Sequence, residues 1–339
     1  MLPNLYYDYE SLAGRYRQFD VVIGSARTRS YISSRMSDLI STNTQFITKN
    51  SGYPTQEALS RTLKSYGATI APKENGVLKI MVVGGGATLD FGKILLFNSL
   101  EEFRDLTLLL VPTNFGSAAE LTSFATVWDY ERGSKLSVEL PASVDRSAFY
   151  DEDALRGIGK LQAQVGFLDS VAHSFDSASS RSSNPFLGQI ATSNLFNSIE
   201  IFTKFEYLLD YFSIFKFQEI SMISGACISY TKTSISHALS YWLTLSHGVP
   251  HGVAVGWMLQ EVLKVKSKIP GIPEKLHVSL LNDLSKIEFR NLIAQPLISP
   301  SFSRFTKQID QSRLNNFTLT LTDTELKAIF DSTVRNLGK

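Results

Sequence analysis

Residues 78–93 read LKIMVVGGGATLDFGK and contain the pattern that decides the fold of the first half of the chain. The apolar run 78–83 is typical of a buried strand, and it leads through three glycines into a sequence that favours a helix. Further apolar runs have the same strand character, at 19–23, 45–48 and 107–111. Helices are predicted between them, near 29–41 and from Gln56. Strands that alternate with helices predict a parallel sheet.

From about residue 152 the strand signals stop. Long amphipathic segments replace them and predict an all-helical second half, at 152–182, 186–210, 215–245 and 252–268. A loop is predicted at 295–303, and a last helix from Thr322, where Glu325 completes a capping-box pattern. We therefore predict an α/β domain over residues 1–153 and a helical domain over residues 154–339.

The composition is that of an ordinary globular chain, with 43% hydrophobic and 19% charged residues. A net charge of +1 gives no basis for a nucleic-acid partner or an acidic membrane surface. The only cysteine, Cys227, excludes a disulfide framework and fits a reducing cytoplasm. The N-terminus lacks the pattern of a signal peptide. We expect a cytoplasmic protein with a small-molecule substrate, and we keep a homodimer as a hypothesis.

Two glycine-containing loops follow predicted strands. Glycines at 84–86 would let backbone N–H groups approach a phosphate, which the following helix N-terminus also favours. The alternative is a tight turn that needs positive φ. Asp90 and Lys93 follow in the first turns of that helix, with a solvated ion pair as their alternative. The second loop, PTNFGSAAE at 112–120, repeats the arrangement, and two such loops favour a pyrophosphate cradle.

A histidine-rich stretch, SHALSYWLTLSHGVPHGVAVG at 236–256, predicts a helix end, a loop and a helix start. His237 lies on the first helix and His251 opens the second. Asp169 and His173, four residues apart, would share one helical face. Three imidazoles and one carboxylate suit Zn²⁺ or Fe²⁺. The alternatives are a surface pair and satisfied core histidines.

The order of these motifs resembles the iron-containing (group III) alcohol dehydrogenases, relatives of dehydroquinate synthase, over residues 19–335. This resemblance implies a nucleotide-binding α/β domain followed by a helical metal-binding domain. It implies Fe²⁺ or Zn²⁺, and NADPH or NADH, as cofactors. The metal ligands it implies are Asp169, His173, His237 and His251. The cofactor-binding residues it implies are Gly84, Gly85, Gly86, Thr88, Asp90, Lys93, Thr113, Asn114, Gly116 and Ser117.

Within the family, four stretches are most similar to the phosphonoacetaldehyde reductase subgroup: FATVWD, TKTSISHALSYWLT, HGVPHG and SRLNNFTLTLTDTELKAIF. A 3-deoxy-octulosonate 8-oxidase-like enzyme is also similar around HALSY. Two positions depart from the family pattern. Residues 116–120 read GSAAE where the family has GTGSE, and Tyr241 stands where many members have a second histidine. Tyr241, one turn after His237, is predicted to relay a proton, with a core tyrosine as the alternative.

The function implied by the resemblance is a metal-dependent alcohol dehydrogenase or aldehyde reductase in a biosynthetic pathway. Its substrate would be a small polar aldehyde or alcohol, such as one derived from a phosphonate or a sugar acid. A dehydroquinate synthase-like lyase or cyclase is one alternative, although that branch resembles Glu at the position of Asp169. A metal-dependent hydrolase is another, although it would not need the glycine loops.

The choice of nicotinamide cofactor is predicted from the end of the first strand. An acidic residue there usually accepts from the ribose 2′-OH of NAD, whereas a 2′-phosphate is bound by Arg. No carboxylate occurs between Asp20 and Asp38, and the loop instead carries Ser25, Arg27 and Arg29. These side chains can bind a phosphate, so we predict a preference for NADPH, with a solvated basic loop as the alternative. Lys232 and Arg181 are predicted candidates for binding an anionic substrate.

Overall fold

The computed structural model describes residues 1–49, 52–55, 57–58, 60–61, 76–129, 134–205, 214–294 and 299–337. The chain divides into two compact units, Met1–Phe115 with Ala119–Ile158 and Gly116–Ala118 with Gly159–Lys339. The predicted boundary, between residues 153 and 154, falls within the short helix Glu152–Leu155 of the first unit. Most of the helix predicted from Gln56, and part of the loop predicted at 295–303, lie outside the described residues.

The first unit contains a parallel sheet, as predicted. Its strands are β1 (Asn4–Tyr6), β2 (Val21–Gly24), β3 (Gln45–Thr48), β4 (Val77–Gly84), β5 (Asp105–Pro112), β6 (Phe124–Asp129), β7 (Ser134–Glu139) and β8 (Asp145–Phe149). Six of them form the sheet in the order β1-β8-β5-β4-β2-β3, with every neighbouring pair parallel. Strands β6 and β7 form a separate antiparallel pair. Its helices are α1 (Tyr9–Arg15), α2 (Ala26–Arg35), α3 (Gly86–Asn98) and α4 (Glu152–Leu155).

The central strands β4 and β5 are buried on both faces, which explains their continuous apolar sequence. Successive side chains alternate between faces. Val82 and Leu110 contribute to a core that includes Leu89 and Phe91 of α3. Their neighbours on the other face, such as Met81, contribute to a second core that includes residues of α1 and α2. The local apolar pattern therefore accounts for the centre of the sheet.

The second unit is helical, as predicted. Its helices are α5 (Lys160–Ala178), α6 (Pro185–Phe202), α7 (Ile214–Thr231), α8 (Ile235–His247), α9 (His251–Val265), α10 (Glu274–Ser285), α11 (Phe302–Lys307), α12 (Gln311–Asn315) and α13 (Asp323–Leu337). The predicted segment 215–245 is in fact two helices, because Lys232 adopts φ +59 between them. The predicted segment 152–182 is likewise interrupted, at Gly157, where φ is +89.

Close helix packing brings α5 and α9 together. A Cβ at Gly252 would lie 2.1 Å from the carbonyl oxygen of Val165, and one at Gly256 would lie 3.0 Å from Leu168. Gly252 therefore permits a backbone approach that a larger residue would prevent, and a Cβ at Gly256 would make a tight contact with a side chain. Because His251 opens α9, this packing places it beside the helix that carries Asp169. Among the described residues, no helix is both long enough and apolar enough to span a membrane.

Candidate functional site

Helices α5 and α8 bring three of the predicted metal ligands together. The ligand atoms of Asp169, His173 and His237 all lie within 4.8 Å of one another, and all three residues are buried. Asp169 Oδ1 lies 3.6 Å from His173 Nε2 and 3.4 Å from His237 Nε2. The two imidazole rings stack with their centroids 4.7 Å apart. The fourth predicted ligand, His251, lies next to this group, with its ring centroid 5.4 Å from that of His237.

These donors fit a divalent transition metal. Zinc binds carboxylate oxygen and imidazole nitrogen at about 2.0–2.2 Å, so ligand atoms around a tetrahedral ion are about 3.4 Å apart. The two Asp169–histidine distances match that spacing. An imidazole must also be neutral to bind a metal, and burial, followed by the neighbouring His237, holds the pKa of His173 well below its usual value.

Asp176 is a residue of this site that sequence reasoning missed. It lies on α5, one turn beyond His173, and is fully buried. Its Oδ2 lies 2.8 Å from His237 Nδ1 and accepts a 2.7 Å hydrogen bond from the Ser234 N–H. Its Oδ1 accepts a 3.0 Å bond from the Ser236 N–H. The available sequence signal was a second acidic residue on the same helical face as Asp169 and His173.

The contacts of Asp176 decide the tautomer of His237. Burial raises the pKa of the Asp176 carboxyl, and the backbone N–H donors of Ser234 and Ser236 act against that rise. Since both carboxyl oxygens already accept hydrogen bonds, we assign His237 Nδ1 as the donor to Asp176. The lone pair of the ring is then on Nε2, the nitrogen beside Asp169, where a metal ligand needs it.

Tyr241 lies one turn after His237 on α8, as predicted. Its ring stacks on that of His251, with centroids 6.1 Å apart and an angle of 20° between the planes. Only 2% of the residue is exposed, and burial raises the pKa of the phenol. The phenol therefore keeps its proton at neutral pH and can act as a hydrogen-bond donor.

Replacing Tyr241 with phenylalanine is expected to lower turnover without changing the metal content. The change removes the hydroxyl and retains the ring that packs against His251. Turnover should be measured across pH, together with bound metal per chain. Tyr230→Phe is a suitable control, because Tyr230 is an exposed tyrosine on α7. A rate for Tyr241→Phe that equals the wild-type rate at every pH would support the core-tyrosine alternative.

The two glycine-containing loops start at neighbouring strand ends, because Gly84 of β4 pairs with Pro112 of β5. The Thr113 N–H donates to the Gly84 carbonyl oxygen at 3.0 Å. The alternative that the 84–86 turn needs positive φ is wrong, since the positive-φ glycines of the described residues lie elsewhere. Close contacts explain the glycines instead. A Cβ at Gly84 would lie 2.5 Å from Thr88, and one at Gly85 would lie 2.7 Å from Asn114 Nδ2.

Lys93 and Asp90 do not form a solvated pair, so that alternative is also wrong. Lys93 is fully buried, and its Nζ donates to Asp90 Oδ1 at 3.1 Å, to Thr122 Oγ1 at 3.2 Å and to the Phe124 carbonyl oxygen at 2.7 Å. Asp90 also accepts from the Thr126 N–H at 3.0 Å. The pair therefore joins α3 to the β6 segment. Its predicted role in cofactor binding stays a prediction.

Gly116 and Ser117, also predicted to bind the cofactor, belong to the second compact unit. The Gly116 N–H donates to Ser221 Oγ at 2.8 Å, and Gly116 has φ +114. A Cβ there would lie 2.4 Å from Gly166 Cα, so this position requires glycine for both backbone conformation and space. Glu120, at the end of the same loop, is buried and accepts from the Tyr150 hydroxyl at 3.2 Å.

The basic loop after β2 is partly engaged within the first unit. Ser25 is the N-cap of α2, and its Oγ accepts from the Thr28 N–H at 3.2 Å. Arg27 donates to the Gly157 carbonyl oxygen at 3.1 Å, and the guanidinium of Arg29 lies 4.3 Å from the ring centre of Phe46. Both arginines are exposed. Arg181 is one of the two basic residues predicted to bind an anionic substrate. Its Nε donates to the Phe317 carbonyl oxygen at 2.7 Å.

Comparisons with known proteins agree with this fold. No family model matches the chain. The phosphonoacetaldehyde reductase of Streptomyces viridochromogenes is 32% identical over 161 residues, which cover 47% of this chain and 41% of that protein. An iron-containing alcohol dehydrogenase from Thermotoga maritima has a TM-score of 0.75 at 20% identity, covering 99% of this chain and 98% of that one. The chain therefore has the fold of the iron-containing alcohol dehydrogenases.

Two further proteins are similar to this chain at low sequence identity. The 4-hydroxybutyrate dehydrogenase of Clostridium kluyveri is 21% identical over 229 residues, which cover 63% of this chain and 60% of that protein. A sulfoacetaldehyde reductase from Bifidobacterium kashiwanohense, solved in complex with NAD+, has a TM-score of 0.77 at 15% identity, covering 99% of this chain and 97% of that one. The matches span only 41% and 60% of the two curated relatives named here. The structural matches confirm the predicted fold class.

Proposed function

We propose that this protein is a metal-dependent, nicotinamide-linked alcohol dehydrogenase or aldehyde reductase. The observation that carries the proposal is the buried group of Asp169, His173 and His237, spaced as ligands around one ion within the fold of this family. Asp169, His173 and His237 would hold the metal, and His251 would complete the ligand set. When bound, the metal supplies Lewis acidity toward the substrate oxygen, and the nicotinamide supplies or accepts hydride.

The residues of the chain have separate tasks in this proposal. Asp176 keeps the Nε2 lone pair of His237 on the side of Asp169. The turn at 84–86 presents backbone N–H groups and the start of α3 to the cofactor phosphates. Tyr241 holds its proton on the hydroxyl and relays it to or from the substrate oxygen.

The relatives suggest the chemical class of the substrate. Phosphonoacetaldehyde, sulfoacetaldehyde and 4-hydroxybutyrate, named in three of them, are small molecules that each carry an anionic group. We propose that this protein reduces a small aldehyde with such a group, or oxidises the corresponding alcohol.

The direct test is reduction of aldehydes by the purified protein loaded with Fe²⁺ or Zn²⁺. Phosphonoacetaldehyde and a panel of other aldehydes should be supplied with NADH or NADPH while the absorbance of the reduced nicotinamide is followed. Metal-dependent oxidation of the nicotinamide is the expected result. A reaction without net nicotinamide oxidation would favour a lyase or cyclase, and turnover without any nicotinamide would favour a hydrolase. Either outcome would overturn the proposal.

Cofactor choice is a separate prediction. If Arg27 and Arg29 bind a 2′-phosphate, replacing either with alanine should raise the KM for NADPH about tenfold or more and leave the KM for NADH unchanged, because each loses a hydrogen bond to a charged group. Arg35→Ala is the matched control, since Arg35 lies in the last turn of the same helix. If neither change alters the ratio of the two KM values, the loop does not select NADPH.

A further inference from the structure

Arg313 lies over the ring of Tyr241, which itself packs against a predicted metal ligand, His251. Its guanidinium carbon lies 5.7 Å from the ring centre of Tyr241, and its side chain is only 14% exposed. Tyr241 in turn stacks on His251, which lies beside His237. A mostly buried positive charge thus lies two side chains from the candidate metal centre, within the stretch SRLNNFTLTLTDTELKAIF at 312–330.

The guanidinium is held in place through one edge. Arg313 Nε donates to Asp310 Oδ2 at 3.2 Å, and Asp310 Oδ1 accepts from the Arg313 N–H at 3.1 Å. The Asp310 N–H donates to the Ala238 carbonyl oxygen at 3.3 Å, which ties this corner of α12 to α8. Among the residues that the structure describes, the hydrogen bonds of the guanidinium use Nε alone. Its two terminal amino groups are therefore available as donors.

This arrangement suits an oxyanion. Arginine presents a planar set of N–H donors that bind carboxylate, sulfonate or phosphonate through parallel charge-assisted hydrogen bonds. Because Nε is anchored by Asp310, part of the side-chain ordering has already occurred before a ligand binds.

We propose that Arg313 binds the anionic group of the substrate and thereby selects small aldehydes that carry a carboxylate, sulfonate or phosphonate over neutral ones. This inference rests on the proposed reductase function. It replaces Lys232 and Arg181 as the favoured cation, because Arg313 contacts a side chain that itself packs on a predicted metal ligand. The competing role is structural, in which Arg313 covers Tyr241 and holds α12 against α8.

The test compares an anionic and a neutral aldehyde of similar length, phosphonoacetaldehyde and propanal, at saturating nicotinamide. Arg313→Gln should raise the KM for phosphonoacetaldehyde about 10- to 100-fold, as expected for lost hydrogen bonds between charged groups, and should change the KM for propanal less than about twofold. Arg313→Lys should recover part of the loss, because it keeps the charge without the planar set of donors. Arg304→Gln, an exposed arginine on α11, is the matched control and should behave as wild type.

A binding measurement separates this inference from the reductase proposal. Methylphosphonate should bind the metal-loaded wild type and the Arg304→Gln variant, and should bind Arg313→Gln at least about tenfold more weakly, in calorimetry. If the wild type reduces neither aldehyde, the proposed function fails while methylphosphonate binding still decides the role of Arg313. Equal losses for both aldehydes, or methylphosphonate binding that is unchanged in Arg313→Gln, would overturn the inference and support the structural role.

Discussion

Replacing His237 with alanine is expected to abolish both bound metal and turnover in a protein that still folds. The imidazole supplies one of three clustered ligand atoms, 3.4 Å from Asp169 Oδ1. Replacing a residue that only contacts a metal ligand typically weakens metal binding about 10- to 100-fold. Because His237 is itself a predicted ligand, its loss should weaken metal binding by more than that. The change also leaves the buried Asp176 without its ring partner, which should cost about 1–3 kcal/mol of the free energy of unfolding.

The measurement is bound metal per chain after dialysis, with turnover and thermal unfolding recorded on the same samples. His277→Ala is the matched control. His277 is a buried histidine of the same unit, and it lies 2.8 Å through Nε2 from the Lys266 carbonyl oxygen, away from the cluster. It should lose stability and keep its metal. His251→Ala tests the fourth ligand and is also expected to lose both metal and turnover. Full metal content in the His237 variant would show that the ligand assignment is wrong.

Replacing Asp176 with asparagine is expected to weaken metal binding about 10- to 100-fold, although Asp176 is not itself a predicted ligand. The carboxylate accepts hydrogen bonds from three backbone N–H groups at the start of α8, those of Ser234, Ser236 and His237, and from the ring of His237. An asparagine side chain has only one acceptor oxygen, so its NH₂ group would face some of these N–H donors, and no hydrogen bond could form there. The ring of His237 would then lose the contact that fixes its tautomer, and α8 would lose part of its attachment to α5.

Metal titration followed by calorimetry measures this effect without turnover. Glu261→Gln is the matched control, because Glu261 is a carboxylate of the same unit, also buried, that accepts from Lys264 at 2.7 Å. Thermal unfolding identifies any general loss of stability. The decisive comparison is the double variant, followed by the free energy of unfolding of the metal-free protein, which stays measurable in the His237→Ala background: if Asp176 acts through His237, the two losses should be less than additive. Additive losses would mean that the two side chains act independently.

Local sequence patterns were sufficient for the centre of the sheet and for the ligand-bearing helices. The runs at 78–83 and 107–111 are buried on both faces, so their apolar character is continuous and identifies strands directly. Asp169 and His173 share one helical face because the spacing of the helix requires it. The capping box at Thr322 is present as predicted, with the Thr322 N–H donating to Glu325 Oε2 at 2.8 Å and the Glu325 N–H donating to Thr322 Oγ1 at 3.2 Å.

These local patterns did not identify the less regular elements of the fold. Strand β8 was missed because its sequence begins with charged and polar residues, Asp145, Arg146 and Ser147. Only the position of the strand in the sheet buries Arg146 and Ser147. The break between α7 and α8 was missed because no glycine or proline marks it, and Lys232 itself adopts the left-handed conformation there.

The sequence by itself thus determined the elements whose signal lies within a few consecutive turns or strand residues: four of the six parallel strands, the helical second half and the pairing of Asp169 with His173. Only the tertiary structure decided which charges are buried and what they contact. The sequence left a solvated ion pair open as the alternative for Lys93, and it assigned no role to Asp176 or Arg313. Asp176 meets His237 from 61 positions away in the chain. Contacts at such separations arise from helix packing, which periodicity and residue type do not encode.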